Sequence, residues 1–283
     1  MNDPPMDGWV RLLRCIPAGT RGKARLGRLL MNRRFNSSPF TLWDNLGFRY
    51  ELPDASEPIA FHLAIDGVYE PETLALILQQ LKQGDVFVDV GANIGVFTIP
   101  AARCVGNNGR VIAAEASSDI FAFLTRNLEA NGASQVITVN SAICDFKGTA
   151  RFYPAPKHKF GMGSLGAQFG AKPIEVPATT LDEVLEEARI GHVDLLKVDV
   201  EGFELGVFKG AHGLLTGARP PLVVFEFCDW AEARVPNSRV GDAQRLLLSY
   251  GYSIWRSTDF VRGQRSLREP LESNSAMLVA SRQ

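Results

Sequence analysis

The 283 residues include only four cysteines (Cys15, Cys104, Cys144, Cys228), which stand 40 to 89 residues apart with no CxxC pair. That spacing excludes a disulfide framework or a zinc site and reads as the reduced thiols of a cytosolic protein. Long apolar runs are missing too: nothing approaches the ~18 residues needed to cross a bilayer. The first residues, MNDPPMDGWVRLLRCIPAG, lack the uninterrupted apolar stretch of a signal peptide, so the expected location is the cytoplasm. Charge of one sign is absent overall, 30 basic against 31 acidic side chains, net -1. A dedicated nucleic-acid binder would carry a basic excess, so no nucleic-acid partner is expected. Internal repeats and low-complexity tracts are absent as well. Of the four histidines, His62, His192 and His212 show no metal-ligand spacing, and no metal site is expected. What is present, 46% hydrophobic and 22% charged residues, suffices for a full core.

The balance is uneven along the chain. Residues 1–35 hold eight Lys/Arg and two Asp. Within them Gly22–Arg34 reads as a short helix with Leu26, Leu29 and Leu30 on one face and arginines opposite. The expectation is a helix packed on the main domain with a solvated charged face; contact with a membrane surface is the alternative. Residues 1–65 are read as a basic N-terminal extension and 66–283 as the main domain. Residues 40–70 look like short strands and turns. A helix follows over Pro71–Gln83, with proline at its start and Gly84 as its stop.

From Asp85 the pattern is regular. Strands are expected at 85–90, 110–115, 136–140, 193–200 and 221–227, and helices at 94–104, 119–131, 203–215 and 240–250. Two final strands lie at 252–256 and 276–281. Ser117 or Ser118 caps the second of these helices, and Thr180 with Glu183 makes a capping box for another reaching Arg189. Segments 149–154 and 172–177 pair as an inserted hairpin across a Gly-rich loop, the insertion covering about 149–178. The fold class is α/β, a doubly wound, mostly parallel sheet of seven strands. Such sheets bind ligands beyond the carboxyl ends of their strands, where strand order reverses.

The first of those ends reads Asp89-Val-Gly91-Ala-Asn93-Ile-Gly95. Two glycines and an asparagine in five residues permit a tight turn and close backbone approach to a ligand. The third glycine of a dinucleotide loop is missing, and Asp89 is unfavourable beside phosphates. A sulfonium donor with an ammonium group, S-adenosyl-L-methionine, suits that carboxylate. Glu115, ending the second strand, is placed to accept hydrogen bonds from ribose hydroxyls, and Asp145, after the third, to reach an adenine amino group. Tyr153-Pro-Ala-Pro-Lys157 fits the YxxxK dyad of short-chain dehydrogenases, but Pro154 and Pro156 forbid the helix that dyad requires. In the fourth strand Lys197, Asp199 and Glu201 alternate onto one face, which is costly in a buried strand unless it opens on a cleft.

VFVDVGANIGVFT (86–98), TTLDEVL (179–185), LLKVDVEGFELGVFKGA (195–211), VVFEF (223–227) and GVYEPET (67–73) together resemble the FkbM-type methyltransferases. The resemblance covers roughly Asp66 to Phe227. It implies a class I, Rossmann-like methyltransferase fold, S-adenosyl-L-methionine as cofactor, and methylation of hydroxyls on polyketides, sugars or glycolipids. It places Asp89, Gly91, Asn93 and Gly95 on the donor's methionine half, Glu115 on the ribose, Asp145 on the adenine and Asp199 at the reaction centre. Glu70 is carried over to the donor's amino acid end.

Methyl transfer is an in-line displacement, so the protein mainly positions the reactants and excludes water. A hydroxyl acceptor also needs a base, for which Asp199, then His158, then Glu226 are the candidates, with Lys197 as the partner of Asp199. Asp199 with Glu226 or Asp229 imitates the carboxylates that hold Mg²⁺ in some O-methyltransferases. The expected partner is a small-molecule or glycan acceptor. The alternatives are a nitrogen acceptor or a non-catalytic donor-binding subunit. An amino-methylating nucleic-acid enzyme is disfavoured, because Asp199-Val-Glu-Gly stands where its Asn/Asp-Pro-Pro-aromatic loop would be.

Overall fold

The computed structural model describes residues 8–17, 20–34, 39–54, 57–156, 159 and 161–282. The chain opens with helices α1 (Gly8–Cys15) and α2 (Lys23–Arg34), the antiparallel pair β1 (Phe40–Trp43) and β2 (Arg49–Leu52), and helices α3 (Pro58–Asp66) and α4 (Pro71–Gln80). Alternation then begins: β3 (Val86–Val90), α5 (Thr98–Val105), β4 (Arg110–Ala114), α6 (Ser118–Ala130) and β5 (Val136–Val139). A small sheet is inserted from β6 (Ala142–Ile143), β7 (Gly148–Phe152) and β8 (Ile174–Thr179). There follow α7 (Leu181–Glu187), β9 (Leu195–Val198), α8 (Glu204–Lys209), α9 (His212–Thr216), β10 (Leu222–Cys228), α10 (Asp229–Glu232), α11 (Asp242–Ser249), β11 (Ser253–Arg256), α12 (Ser257–Val261) and β12 (Ser275–Ser281).

Seven strands form the main sheet in the order β11-β12-β10-β9-β3-β4-β5. All neighbouring pairs are parallel except those made by β12, which runs antiparallel to both β10 and β11. Strand order reverses between β3 and β9, so the crevice for a ligand opens beyond Val90 and Val198. All five residues of β3 are buried, as a central parallel strand covered on both faces requires. Its period of two divides the core. Phe87 joins α3, α5 and α6 on one face, and Val86, Val88 and Val90 join α7, α8 and α11 on the other. Leu13, Leu42, Tyr50, Leu52 and Phe61, from the first 65 residues, belong to the first of these clusters.

Several expectations change. Residues 58–66 form a helix, not strands and turns: Pro58 occupies its first turn and the Glu57 side chain caps it, accepting from the Ala60 N–H at 2.8 Å. The helix expected from Ile94 starts only at Thr98, because Asn93 (φ 51°) and Gly95 (φ 93°) keep the preceding segment in a turn. The single helix expected over 203–215 is two, α8 and α9. They part at Gly210, where a Cβ would lie 1.9 Å from the Cys144 carbonyl oxygen. Helix α2 exists, but packs by other residues than Leu26 and Leu29, while the side chain of Leu30 lies outside the described ones. Gly27 lies against Ile65 and Phe61, and buried Lys23 pairs with Asp66 at 2.7 Å. Leu26 and Leu29 are left 44% and 55% exposed. The hairpin pairing of β7 with β8, the Ser117 cap and the Thr180–Glu183 capping box stand as expected. No described helix is long and apolar enough to cross a membrane.

Candidate active site

Beyond Val90 the chain turns through Gly91 at φ 78°, a conformation few side chains adopt. Space forbids one as well, because a Cβ there would sit 1.8 Å from the Asp199 carbonyl oxygen. The Gly91 and Ala92 N–H groups both donate to the Ala114 carbonyl at 2.9 Å. Glu115, the residue after β4, accepts from the Asn93 N–H at 3.1 Å and the Ser117 N–H at 2.9 Å. One buried carboxylate thereby fixes the turns after β3 and β4, and burial pushes its pKa up to about 7. Gly95 packs against Leu124 and Ile99 and is not on the cavity wall.

Asp89 is fully buried. Its oxygens receive the Lys197 ammonium at 3.1 Å and the Thr98 hydroxyl at 2.7 Å. Lys197 also donates to the Gly91 carbonyl at 3.3 Å, lies 3.6 Å from Asp199 and stands 5.0 Å above the Phe97 ring. Burial alone would lower its pKa, but Asp89 and Asp199 outweigh burial and hold it above the ordinary value, so Lys197 is a fixed cation. Asp89 is therefore engaged with Lys197 across the β3–β9 pair and is absent from the cavity wall.

The cavity measures about 410 Å³, within the range of small-ligand sites. Gly91, Asn93, Glu115, Lys197, Asp199 and Glu226 all face it. Strand β9 ends at Val198, so only Lys197 of the three is a strand residue; Asp199 follows the strand end, and Glu201 sits in a turn at φ 55° and reaches the same wall. Asp199, Glu201 and Glu226 offer carboxylate oxygens all within 4.8 Å of one another. Burial followed by repulsion from Asp199 raises the pKa of Glu201 to about 8 and that of Glu226 to about 10. Such a trio can share protons, take a hard divalent cation, or receive a hydroxyl proton. Behind it, Glu204 accepts from the Val200 and Gly202 N–H groups at 3.1 and 3.2 Å, which shapes the turn. In front, Ser164 donates to the Glu201 carbonyl at 2.8 Å and the Gln168 amide joins it there.

Two expected residues lie elsewhere. Asp145 is exposed and does not line the cavity, whose wall after β5 is made by Ser141, Ala142 and Ile143 with Phe152 and Phe203. Glu70 is hydrogen-bonded to Tyr69 and Thr73 and lines a separate groove beside α1 and α4. His158 lies outside the described residues. The sequence reading missed Glu57, which is buried on the cavity wall; the signal available was an acid directly before a proline heading an apolar run, a helix-cap pattern.

The strand order, the glycine turn at the switch point and the acid closing the second strand define a class I methyltransferase using S-adenosyl-L-methionine. The residues fit that donor: a turn without room for a side chain, a carboxylate held at the end of β4, and a cavity of ligand size. The chain belongs to the FkbM methyltransferase family, whose domain, described as Methyltransferase FkbM domain, matches residues 89–254. It is 28% identical over 196 residues to the hexuronic acid methyltransferase AglP of Haloferax volcanii, covering 69% of this chain and 77% of that protein. It is 29% identical over 163 residues to the methyltransferase sdnD of Sordaria araneosa, covering 47% of this chain and 62% of that protein. Among solved structures, an O-methyltransferase of Thermotoga maritima shares 15% identity at a TM-score of 0.41, covering 86% of this chain and 77% of that one. That likeness is too remote to argue from.

Proposed function

We propose that this methyltransferase acts on a hydroxyl of a small molecule or glycan, and that the Asp199–Glu201–Glu226 cluster takes the hydroxyl proton. The observation that carries the reading is that cluster. Three carboxylates converge beside Lys197 at the carboxyl ends of β9 and β10, and the pKa of Glu201, about 8, lies close to neutral pH, where a general base is most effective. The donor supplies a methyl group already activated on sulfur. The chain supplies the rest: the glycine turn and Glu115 orient the donor, Lys197 positions Asp199 from 3.6 Å, and the aromatic wall of Phe97, Phe152 and Phe203 excludes water.

AglP carries hexuronic acid in its name, and kinship with it supports a sugar acceptor. The charge of this cavity supports one without a carboxylate of its own. Glu57, Glu115, Asp199, Glu201 and Glu226 face it, and Lys197 is already matched by Asp89. A neutral polyol or an aminated sugar fits that lining better than a uronate.

Two measurements test the reading. Metabolites and glycans from a deletion strain, compared by mass spectrometry, should contain a species one CH₂ lighter than in the parent. With that acceptor, Asp199→Asn should keep near-normal donor affinity while kcat falls by about two orders of magnitude or more, the upper part of what a positioned base supplies. Wild-type turnover by Asp199→Asn would remove the base from Asp199, and an acceptor methylated at nitrogen would replace the hydroxyl reading.

A further inference from the structure

We propose that Glu57 holds the amino group of the donor's methionine moiety, the role the sequence assigns to Asp89. The inference rests on the donor assignment and adds a residue to it. An ammonium group in a dry cavity needs an anion in hydrogen-bond reach. Asp89 cannot serve, since Lys197 and Thr98 occupy its oxygens and it does not reach the cavity wall. Glu115 is committed to the Asn93 and Ser117 N–H groups at the end of β4. Asp199, Glu201 and Glu226 gather at the carboxyl ends of β9 and β10, the side assigned to the acceptor.

Glu57 remains, and it is placed on the glycine turn. A point one Cβ away from Gly161 lies 2.3 Å from the Asn93 amide nitrogen and 3.3 Å from Glu57 Oε1, so the two side chains meet over the same backbone. The cap on α3 fixes the direction of the carboxylate, because Oε2 accepts the Ala60 N–H while the side chain faces the cavity. Its burial exceeds what a cap requires: it is 3% exposed, and among the described residues the charged group acting on it is Asp54, of the same sign. A buried carboxyl without a counter-ion is costly, and a ligand cation beside it removes that cost. A helix cap alone would be served by a Ser, Thr or Asp in solvent.

Calorimetry on the full chain with three ligands tests this. S-adenosylmethionine and S-adenosylhomocysteine carry the amino acid end; 5′-methylthioadenosine lacks it. For Glu57→Gln, which keeps an acceptor for the cap, the dissociation constants of the first two should rise about tenfold or more, as loss of a charge-assisted hydrogen bond implies. That of methylthioadenosine should stay within about twofold. Glu57→Thr, which preserves the cap by a different side chain, should give the same pattern and serves if the Gln variant does not fold. Equal weakening of all three ligands, or unchanged binding of S-adenosylhomocysteine, overturns the assignment and leaves Glu57 as a cap. Failure of the wild-type chain to bind any of the three would overturn the donor reading itself.

Discussion

Replacing Glu226 with Gln removes a carboxyl that burial, followed by Asp199 and Glu201, keeps protonated far above its ordinary value of 4.5, up to about 10. In the unfolded chain the same group ionises near 4.5. Its contribution to stability is therefore fully present below pH 4.5 and is lost progressively as pH rises toward 10. At pH 7.5 the gap spans about three units, and at about 1.4 kcal/mol per unit the ceiling is about 4 kcal/mol. Solvent reaching the cavity screens part of that repulsion, so about 2–3 kcal/mol is the expected gain for the Gln variant. For a chain of this length that corresponds to roughly 4–8 °C in Tm. Thermal melts of the donor-free protein at pH 5 and pH 8 check it. The variant should melt close to wild type at pH 5 and clearly above it at pH 8, while its turnover falls. A variant that melts below wild type at pH 8 would mean that Glu226 is a stabilised anion with a cationic partner, and the electrostatics of the cluster would have to be redrawn.

Lys197→Met leaves Asp89 buried without its cation, so the protein should lose about 3–5 kcal/mol of stability, measured by urea unfolding; simultaneous Asp89→Asn should restore much of it. If Lys197→Met folds, its pH–rate profile should shift to higher pH, because the cation 3.6 Å from Asp199 is gone. Gly91→Ala puts a methyl into the Asp199 carbonyl, and calorimetry should show donor binding reduced at least as much as stability. Turnover should survive EDTA, because Lys197 and the raised pKa values of Glu201 and Glu226 already limit the negative charge of the cluster; loss restored by Mg²⁺ would assign those oxygens to a cation instead.

What the sequence made legible is what depends on local chemistry. Alternating apolar runs and cap residues located β3, β4, β5, β9 and β10 within a residue or two at most ends, and the Thr180–Glu183 box was readable from four letters. The glycines of the first turn announced a close approach, though not its partner: the backbone that presses on Gly91 belongs to Asp199, more than a hundred residues later. The pairing of Asp89 with Lys197 was not legible for the same reason. A carboxylate beside a glycine turn looks available until the neighbouring strand supplies a lysine in register with it. Asp145 lies off the cavity wall because the chain after β5 enters the small inserted sheet and leaves that residue exposed. Leu26 and Leu29 follow a helical period, yet the glycine and lysine of the same helix make the closer fit to α3. Pattern counts apolar letters; packing selects shapes.

The contact between Gly91 and the Asp199 carbonyl also divides the cavity for anyone wishing to change what this enzyme methylates. The turns after β3 and β9 touch backbone to backbone, so neither can be lengthened or given a bulkier residue there without displacing the other. Phe152, Leu165 and Trp230, from the first strand of the inserted hairpin, the loop between its strands and the start of α10, line the cavity away from that contact. Libraries aimed at new acceptors therefore belong in that wall, with Gly91 and Asp199 left out of the randomised set.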